Sequence, residues 1–421
     1  MKSRTSFFIA VRYLLGRARE GGRYLLGAAA GIAVSLIPII VTLIVADGMI
    51  RGITDRYIEL GTGHLQVFSF PGFENFEGVA EKIMETNGVR GVWYEQRGNG
   101  ILVGKKGKTG ASIRAVESSF WEDGGSLEYL EIIDGNPRPV TDREMLLGKS
   151  LADSIGAAVG DTARLMTIRV TEDGRNIPRV TPFTVSGIVS SGYHELDALW
   201  CIITDEGGRR VLSPENTSSS LIVKIAEPYK KADDVSSSLY MALGAGYNVY
   251  TWKELMQSQY SSYESTRQML LFIMALIVII AAVNVSSATS MLALERRQDI
   301  AVLKVTGAGV NGVANVFLWG SFLTGVCGAV IGIALGLLLG YNINPVLHSL
   351  EKVLSFFSGL GGGREVKLLD PGFYLETIPI IIDWSLVFLI GCFTVLCSVL
   401  ASWIPARRAG RLKPMELLRK Y

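Results

Sequence analysis

Four stretches of this chain carry no charged side chain over a length that can cross a bilayer: residues 24–46, 269–294, 311–347 and 384–404. They dictate most of what the chain can become. A hydrocarbon core of ~30 Å takes about 20 helical residues to cross. Inside it each backbone N–H and C=O must bond within its own segment, which leaves helices as the natural solution. Composition agrees, since 49% of the 421 residues are hydrophobic and only 19% are charged, too apolar a balance for an ordinary water-soluble chain. The first run is longer than the apolar part of a secretory signal and no small-residue cleavage pattern follows it, so it reads as a retained span.

Cytoplasmic flanks of spans are enriched in Lys and Arg. The N-terminus carries Lys2, Arg4, Arg12, Arg17, Arg19 and Arg23 against Glu20, and the C-terminus Arg407, Arg408, Arg411, Lys413, Arg419 and Lys420 against Glu416. Both termini are therefore expected on the cytoplasmic side. Four crossings then place Arg296, Arg297 and Lys304 inside as well, and residues 47–268 and 341–383 outside. Only Cys201 falls in the large exported segment, which excludes an internal disulfide there.

The expected architecture is an α-helical membrane protein with four transmembrane helices and a large exported α+β domain inserted between helices 1 and 2. Its parts are an amphipathic interfacial helix (1–23), span 1 (24–46), the exported domain with helical stalks (47–268), span 2 (269–294), a short cytoplasmic helix (295–310), span 3 (311–340), an exported loop (341–383), span 4 (384–404) and a cytoplasmic tail (405–421). In the exported segment the runs HLQVF, GVWYEQ, GILVG, ASIRAV, ARLMTIRV, FTVSGIV, LWCIIT and SLIVKI predict strands, with helices at FEGVAEKIMET, GKSLADSIG and DDVSSSLYMALG. In the loop, the glycine run GLGGG reads as flexible and the rest as an extended strap. Gly328, Gly332, Gly336 and Gly340 recur every fourth residue in span 3, and Gly27 and Gly31 in span 1, a spacing that lets membrane helices approach closely.

Catalytic and metal-binding constellations are missing. His194 lies near Glu195 and Asp197, but no second histidine or cysteine is near in sequence, so a solvated loop explains it better than a metal site. GKKGKTG, residues 104–110, ends like a phosphate-binding loop, yet Leu102 occupies the place of its first glycine and the run lies between two strands, which makes it a basic hairpin turn. With no nucleotide site, metal site or nucleophile, any energy must come from a partner.

One segment then stands out: ERRQDIAVLKVTGAG, residues 295–309, a charged helix between two spans. As one continuous helix it puts Ile300 and Leu303 on a face with Leu294 and Met291, while Arg296, Arg297 and Asp299 point elsewhere and Gly307 and Gly309 stop it. By itself the pattern fits equally an ordinary basic turn between spans.

The segment resembles the coupling helix of ABC-transporter permeases of the FtsX, MacB and lipoprotein-releasing superfamily. FFIAVRYLLGRAR, FYLETIPIIIDW and ASWIPARRAGRLKPMELLR are similar to the N-terminus, the strap before the last span and the C-terminal ending of the LolC and LolE type. The resemblance covers the whole chain and is loosest in the exported domain. It implies a non-catalytic subunit of a bacterial inner membrane, paired with a second permease copy or a paralogue. Glu295, Arg296, Arg297, Ile300, Ala301, Leu303, Lys304 and Gly307 would dock on a separate ABC ATPase that holds the ATP and Mg; this chain would need no cofactor. Ile44, Val45, Met49, Met269 and Ile273 would face an acylated lipoprotein arriving from membrane lipid. A hairpin at residues 166–183, with Asp173-Gly174 at its turn and Arg175, Pro178, Arg179 and Pro182 beyond, would meet a periplasmic lipoprotein chaperone. Two other outcomes stay open: an FtsX-like transmitter acting on a cell-wall hydrolase, and a MacB-like exporter. Nucleic acid is no expected partner. One departure from the family is Asp47 before Gly48, where a small polar residue is usual; it implies either headgroup depth or a different cargo.

Overall fold

The computed structural model describes residues 3–15, 22–69, 75–170, 175–360, 375 and 377–412. Two compact units make up the chain: residues 1–48, 263–363 and 379–421 form one, and residues 49–262 and 364–378 the other.

Among the described residues the chain runs through α1 (Ser3–Leu15) and α2 (Gly22–Arg56), whose end widens into a π-type turn, Tyr57–Gly61. Then come β1 (Leu65–Ser69), α3 (Phe76–Met84), β2 (Val89–Val103), β3 (Lys108–Val116), α4 (Gly124–Leu127), β4 (Glu131–Gly135), β5 (Glu144–Gly148) and α5 (Lys149–Ile155). Next are β6 (Thr162–Val170), β7 (Asn176–Ser190), α6 (His194–Asp197), β8 (Trp200–Thr204), α7 (Asp205–Val211), β9 (Ser218–Ile225), α8 (Pro228–Leu243), β10 (Tyr247–Thr251) and α9 (Trp252–Leu255). The chain ends with α10 (Gln257–Glu295), α11 (Arg297–Val305), α12 (Val310–Tyr341), α13 (Ile343–Leu360) and α14 (Trp384–Gly410).

Among the described residues four helical stretches, of the first unit and its continuations, are long and apolar enough to cross a membrane: Tyr24–Gly61, Gln257–Glu295, Val310–Tyr341 and Trp384–Gly410. The α12 glycine ridge lies on α2. A Cβ added at Gly328, Gly332 or Gly336 would come within 2.8 Å of Ile32, Leu36 or Ile40, and one at Gly340 within 2.4 Å of Ile44. Backbone therefore meets side chain along four turns, where dispersion, the main attraction between helices in lipid, is greatest. Gly27 and Gly31 of α2, at the same spacing, have nothing within 4 Å of a built Cβ, so among the described residues no other helix packs on that pair as α2 packs on α12. α1 lays Phe7 edge-on to Trp319 of α12 at 5.2 Å and buries Ser6 and Ala10 while Phe8 stays exposed. In the 341–383 connection, Ile343–Leu360 is a helix: its apolar residues recur at helical spacing and only Asn342 separates it from α12. Of the strap FYLETIPIIIDW, Phe373, Tyr374 and Glu376 lie outside the described residues, as do residues 361–363 of the glycine run.

The second unit is built on one sheet in which β2, β3, β8, β5, β7 and β6 pair in succession and β6 pairs back to β2, closing a ring. Leu102, Ile113, Met145, Leu147, Leu165, Phe183, Val185 and Ile203 pack in one core cluster with Cys201, whose thiol burial pushes up to about 12. From β2 the sheet extends through β9, β1 and β10, where Leu65, Val67, Leu221 and Val223 join Ala232, Leu239 and Trp252 in a second cluster.

By pattern β2 divides into two strand runs, GVWYEQ and GILVG, with residues 97–99 between them. The strand runs through both, because a Cβ at Gly98 would lie 2.5 Å from Leu212 and one at Gly100 2.9 Å from the Met166 carbonyl oxygen. These glycines serve close packing across the ring rather than a turn. Three strands, β4, β5 and β10, were not anticipated; each is five residues long, and β4 and β5 lack a two-residue alternation, which β10 shows only over its few residues.

Candidate functional site: the α11 end, the opposite span ends and the β6–β7 hairpin

α10 ends at Glu295, turns at Arg296, and α11 begins at Arg297. Gly307, at φ +95°, takes the left-handed conformation that ends the segment, and Gly309 leads into α12. Because of the turn at Arg296, the face expected to join Met291 and Leu294 to Ile300 and Leu303 does not form. Ile300 and Ala301 are buried, Ile300 packing in a cluster with Leu25, Leu292, Val313, Phe317 and Ala406, whereas Met291 and Leu294 are exposed and Leu303 is half-buried. Lys304 Nζ donates to the Leu412 carbonyl at 2.6 Å, tying α11 to the chain leaving α14. Arg296 sits 3.5 Å from Asp299, and Glu295, Arg297 and Gly307 are exposed. The free apolar side is Val302 and Val305, 63% and 70% exposed and three residues apart. Their spacing was visible in the sequence, but AVLKV carries apolar residues on two sides of one short helix, and only the packing of Ile300 says which side is spent.

Within the spans, Thr289 Oγ1 of α10 lies 3.0 Å from Ser321 Oγ of α12 and 3.3 Å from Ser402 Oγ of α14, all three residues fully or almost fully buried. Each hydroxyl is thereby given a partner across helices, as an apolar surrounding demands.

At the other end of the same spans lies the unexpected Asp47. Arg267 Nε of α10 is 2.8 Å from Asp47 Oδ1, and Nη2 donates to Asp47 Oδ2 at 3.2 Å. The same guanidinium is 3.5 Å from Asp383, which also caps α14 by accepting from the Ser385 and Leu386 amides at 3.1 and 3.2 Å. Asp47 is thus one of two carboxylates sharing one arginine. Of the residues assigned to a cargo surface, Ile44 is 1% exposed against Gly340, Val45 and Met49 are half-buried, and Met269 and Ile273 are 65% and 40% exposed on α10. Only the α10 pair forms an open surface.

In the second unit β6 and β7 form an antiparallel hairpin registered from Thr162↔Thr184 to Val170↔Asn176. Arg175, Pro178, Arg179 and Pro182 are exposed on it, beside half-exposed Ile168, Ile177 and Val180. Asp173-Gly174 lies outside the described residues. Pro178 and Pro182 deny the strand two ladder donors, which suits an edge.

The same unit holds a buried charge network that the sequence reading missed. The π-type turn after α2 ends in carbonyls that no further helical turn can bond. Lys224 Nζ donates to the Ile58 and Glu59 carbonyls at 3.2 and 2.8 Å, Arg114 to that of Leu60 and Arg97 to that of Gly61. Glu95, wholly buried, accepts from Arg114 Nε and Nη2 at 2.7 and 2.8 Å and from Arg97 Nε at 2.7 Å. Burial alone would raise the Glu95 carboxyl, but Arg114 and Arg97 outweigh it and hold it down at about 2. Three cations at a helix C-terminus also face the negative end of its dipole. Two stretches of sequence carried part of this signal, the inward Glu95 and Arg114 of otherwise alternating strands, but a lone charge in a strand does not name its partner.

Residues 25–239 match the MacB-like periplasmic core domain family and residues 271–414 the FtsX-like permease C-terminal family. The chain belongs to the FtsX/MacB superfamily of ABC-transporter permeases. This permease is 25% identical to the lipoprotein-releasing system transmembrane protein LolC of Neisseria meningitidis over 98% of both chains. It is 21% identical to LolE of Haemophilus influenzae over 99% of this chain and all of that one. The macrolide export ATP-binding/permease protein MacB of Bdellovibrio bacteriovorus is 24% identical, over 42% of this permease and 23% of that protein.

Proposed function

We propose that this permease extracts lipoproteins from the outer leaflet of the bacterial inner membrane and hands them to a periplasmic chaperone, driven by a separate ATPase. The observation that carries this reading is similarity to LolC and LolE from end to end, spans and inserted domain together. In this reading α11 and both termini face the cytoplasm, in keeping with their Arg and Lys. α11 docks on the ATPase through Val302 and Val305, with Glu295, Arg297 and Gly307 at the rim. Ile300, Ala301 and Lys304 hold α11 to the spans, so that it moves with them. The cargo chains lie against Met269 and Ile273, and the β6–β7 hairpin, with Arg175, Pro178, Arg179 and Pro182, offers the chaperone an edge.

Physical chemistry explains why such a device offers surfaces rather than a pore. At ~0.8 kcal/mol per buried CH₂, a three-chain anchor is held by tens of kcal/mol and cannot be set free in water. Transfer between apolar surfaces divides that barrier into small steps. Spans nearly free of charge suit the same task, since a water-filled path is usually marked by ionisable residues.

Purification in mild detergent tests the reading: an ATPase and an acylated lipoprotein are expected to accompany the permease. A cell-wall hydrolase in place of the lipoprotein would establish the FtsX-like alternative instead. The docking assignment has its own expected result. Val302→Asp with Val305→Asp lowers ATPase affinity about tenfold or more, because each valine buried at an interface contributes about 1.5 kcal/mol or more. Recruitment at the wild-type level would refute that assignment.

A further inference from the structure

We infer that Asp47, Arg267 and Asp383 form a two-position latch at the mouth between α2 and α10, which Arg267 opens by moving from Asp47 to Asp383; the inference rests on the lipoprotein reading above. Arg267 stands on α10, Asp47 on α2, and Asp383 caps α14. The contact with Asp47 is close and double, at 2.8 and 3.2 Å, while that with Asp383 is single and long, at 3.5 Å. Asp47 therefore holds the closer contacts, one of them a hydrogen bond, and Asp383 is a seat partly taken.

The asymmetry has a mechanical meaning. Separating the outer ends of α2 and α10 must break the Asp47 pair, since no other ion pair links these two helices among the described residues of the unit. If nothing else were near, the arginine would be left unpaired at the edge of hydrocarbon, which is costly. Asp383 removes that cost, because the planar fork of a guanidinium can hold one carboxylate while releasing another. Asp383 does not move to receive it, being fixed by the Ser385 and Leu386 amides. Arg267 is 40% exposed and Asp383 42%, so the exchange takes place where water can assist it, whereas Asp47, at 12%, is uncovered only when the mouth opens. The arrangement thus has two discrete paired states, of which the closer contacts favour the shut one, and discrete states are what a switch needs. It also accounts for a carboxylate beside a lipid entrance: Asp47 holds the entrance shut.

A purely structural ion triad and a latch differ in the sign of their effects. Asp47→Asn removes the closed seat and speeds loading of cargo; Asp383→Asn removes the open seat and slows it. Asparagine is as good a helix cap as aspartate, so the second change keeps the start of α14. The experiment uses the full-length permease with its ATPase in nanodiscs, without nucleotide, and a dye-labelled triacylated cysteinyl peptide. The peptide retained by the complex on gel filtration is followed over time. Loading is expected about fivefold faster for Asp47→Asn and slower by a similar factor for Asp383→Asn, the ratio set by one ion pair of ordinary strength at a partly exposed site. Changes in the same direction, or none in either variant, would overturn the latch while leaving the lipoprotein reading intact. A wild-type complex that binds its ATPase yet never retains the peptide overturns the lipoprotein reading itself, and the latch with it.

Discussion

Replacing Glu95 with Gln will cost the inserted domain about 3–5 kcal/mol, the usual consequence of removing one partner from a buried ion pair. Glu95 is the single carboxylate on which Arg97 and Arg114 both close, at 2.7 and 2.7–2.8 Å, and both arginines in turn bond the last carbonyls of the helical segment that continues α2. A glutamine oxygen can still accept from Arg97 Nε and Arg114 Nε, but its amide nitrogen cannot accept from Arg114 Nη2, and the two guanidinium charges are left without a counter-charge. The loss will show as a lower urea midpoint for the whole permease in detergent, followed by tryptophan emission; Lys224 lies 5.9 Å from the Trp93 ring and Arg114 5.4 Å from that of Trp200, so two reporters sit on the network itself.

The same residue predicts a pH dependence with a definite sign. Its carboxyl is held at about 2 in the folded protein against an ordinary value of 4.5, so its contribution is present above about pH 4.5 and is lost as the pH falls toward 2. At about 1.4 kcal/mol per unit the loss amounts to roughly 3 kcal/mol. The wild type will therefore weaken between pH 4.5 and 2, and Glu95→Gln will lack that component. Equal midpoints for the two proteins at pH 7 would show that the network contributes nothing to stability.

Replacing Gly332 with Leu will prevent α2 and α12 from closing on each other. A bare Cβ there already meets Leu36 Cβ at 2.8 Å and the Ala33 backbone at 2.9 Å, so the obstacle includes main chain that cannot rotate away. Overpacking costs about 1–3 kcal/mol at sites that can adjust, and more where they cannot. The internal control is Gly27→Leu on α2, where nothing lies within 4 Å and the effect stays within about 0.5 kcal/mol. The measurement is the temperature at which each variant aggregates in detergent. Gly332→Leu behaving like Gly27→Leu would mean that the ridge does not set the helix separation.

The glycine pattern also shows where a sequence stops being informative. Both sets recur at four-residue spacing, yet the α12 set is covered by α2 and the α2 pair has nothing on it among the described residues. Spacing reports that a helix can be approached closely; it does not name what approaches. The segment 295–309 repeats the lesson. Its position between two spans was legible from charge alone, but a turn at Arg296 rotated its faces, burying Ile300 and leaving Val302 and Val305 free. The β6–β7 hairpin was legible because pairing there is local, from Thr162 to Ser190 along the chain.

Sequence alone determined that four stretches form apolar helices, that a mixed α and β segment lies between two of them, and that a short charged helix joins another two. These follow from rules acting within about 20 residues: a bilayer excludes charge, and an unpaired backbone cannot stay in it. Tertiary structure alone decided that Arg267 finds Asp47, 220 residues away, that Arg114 reaches the Leu60 carbonyl, and that β6 closes the ring onto β2. A charge announces its need for a partner through its own chemistry, but several partners of equal strength exist along the chain. Which one it meets depends on the packing of everything between them.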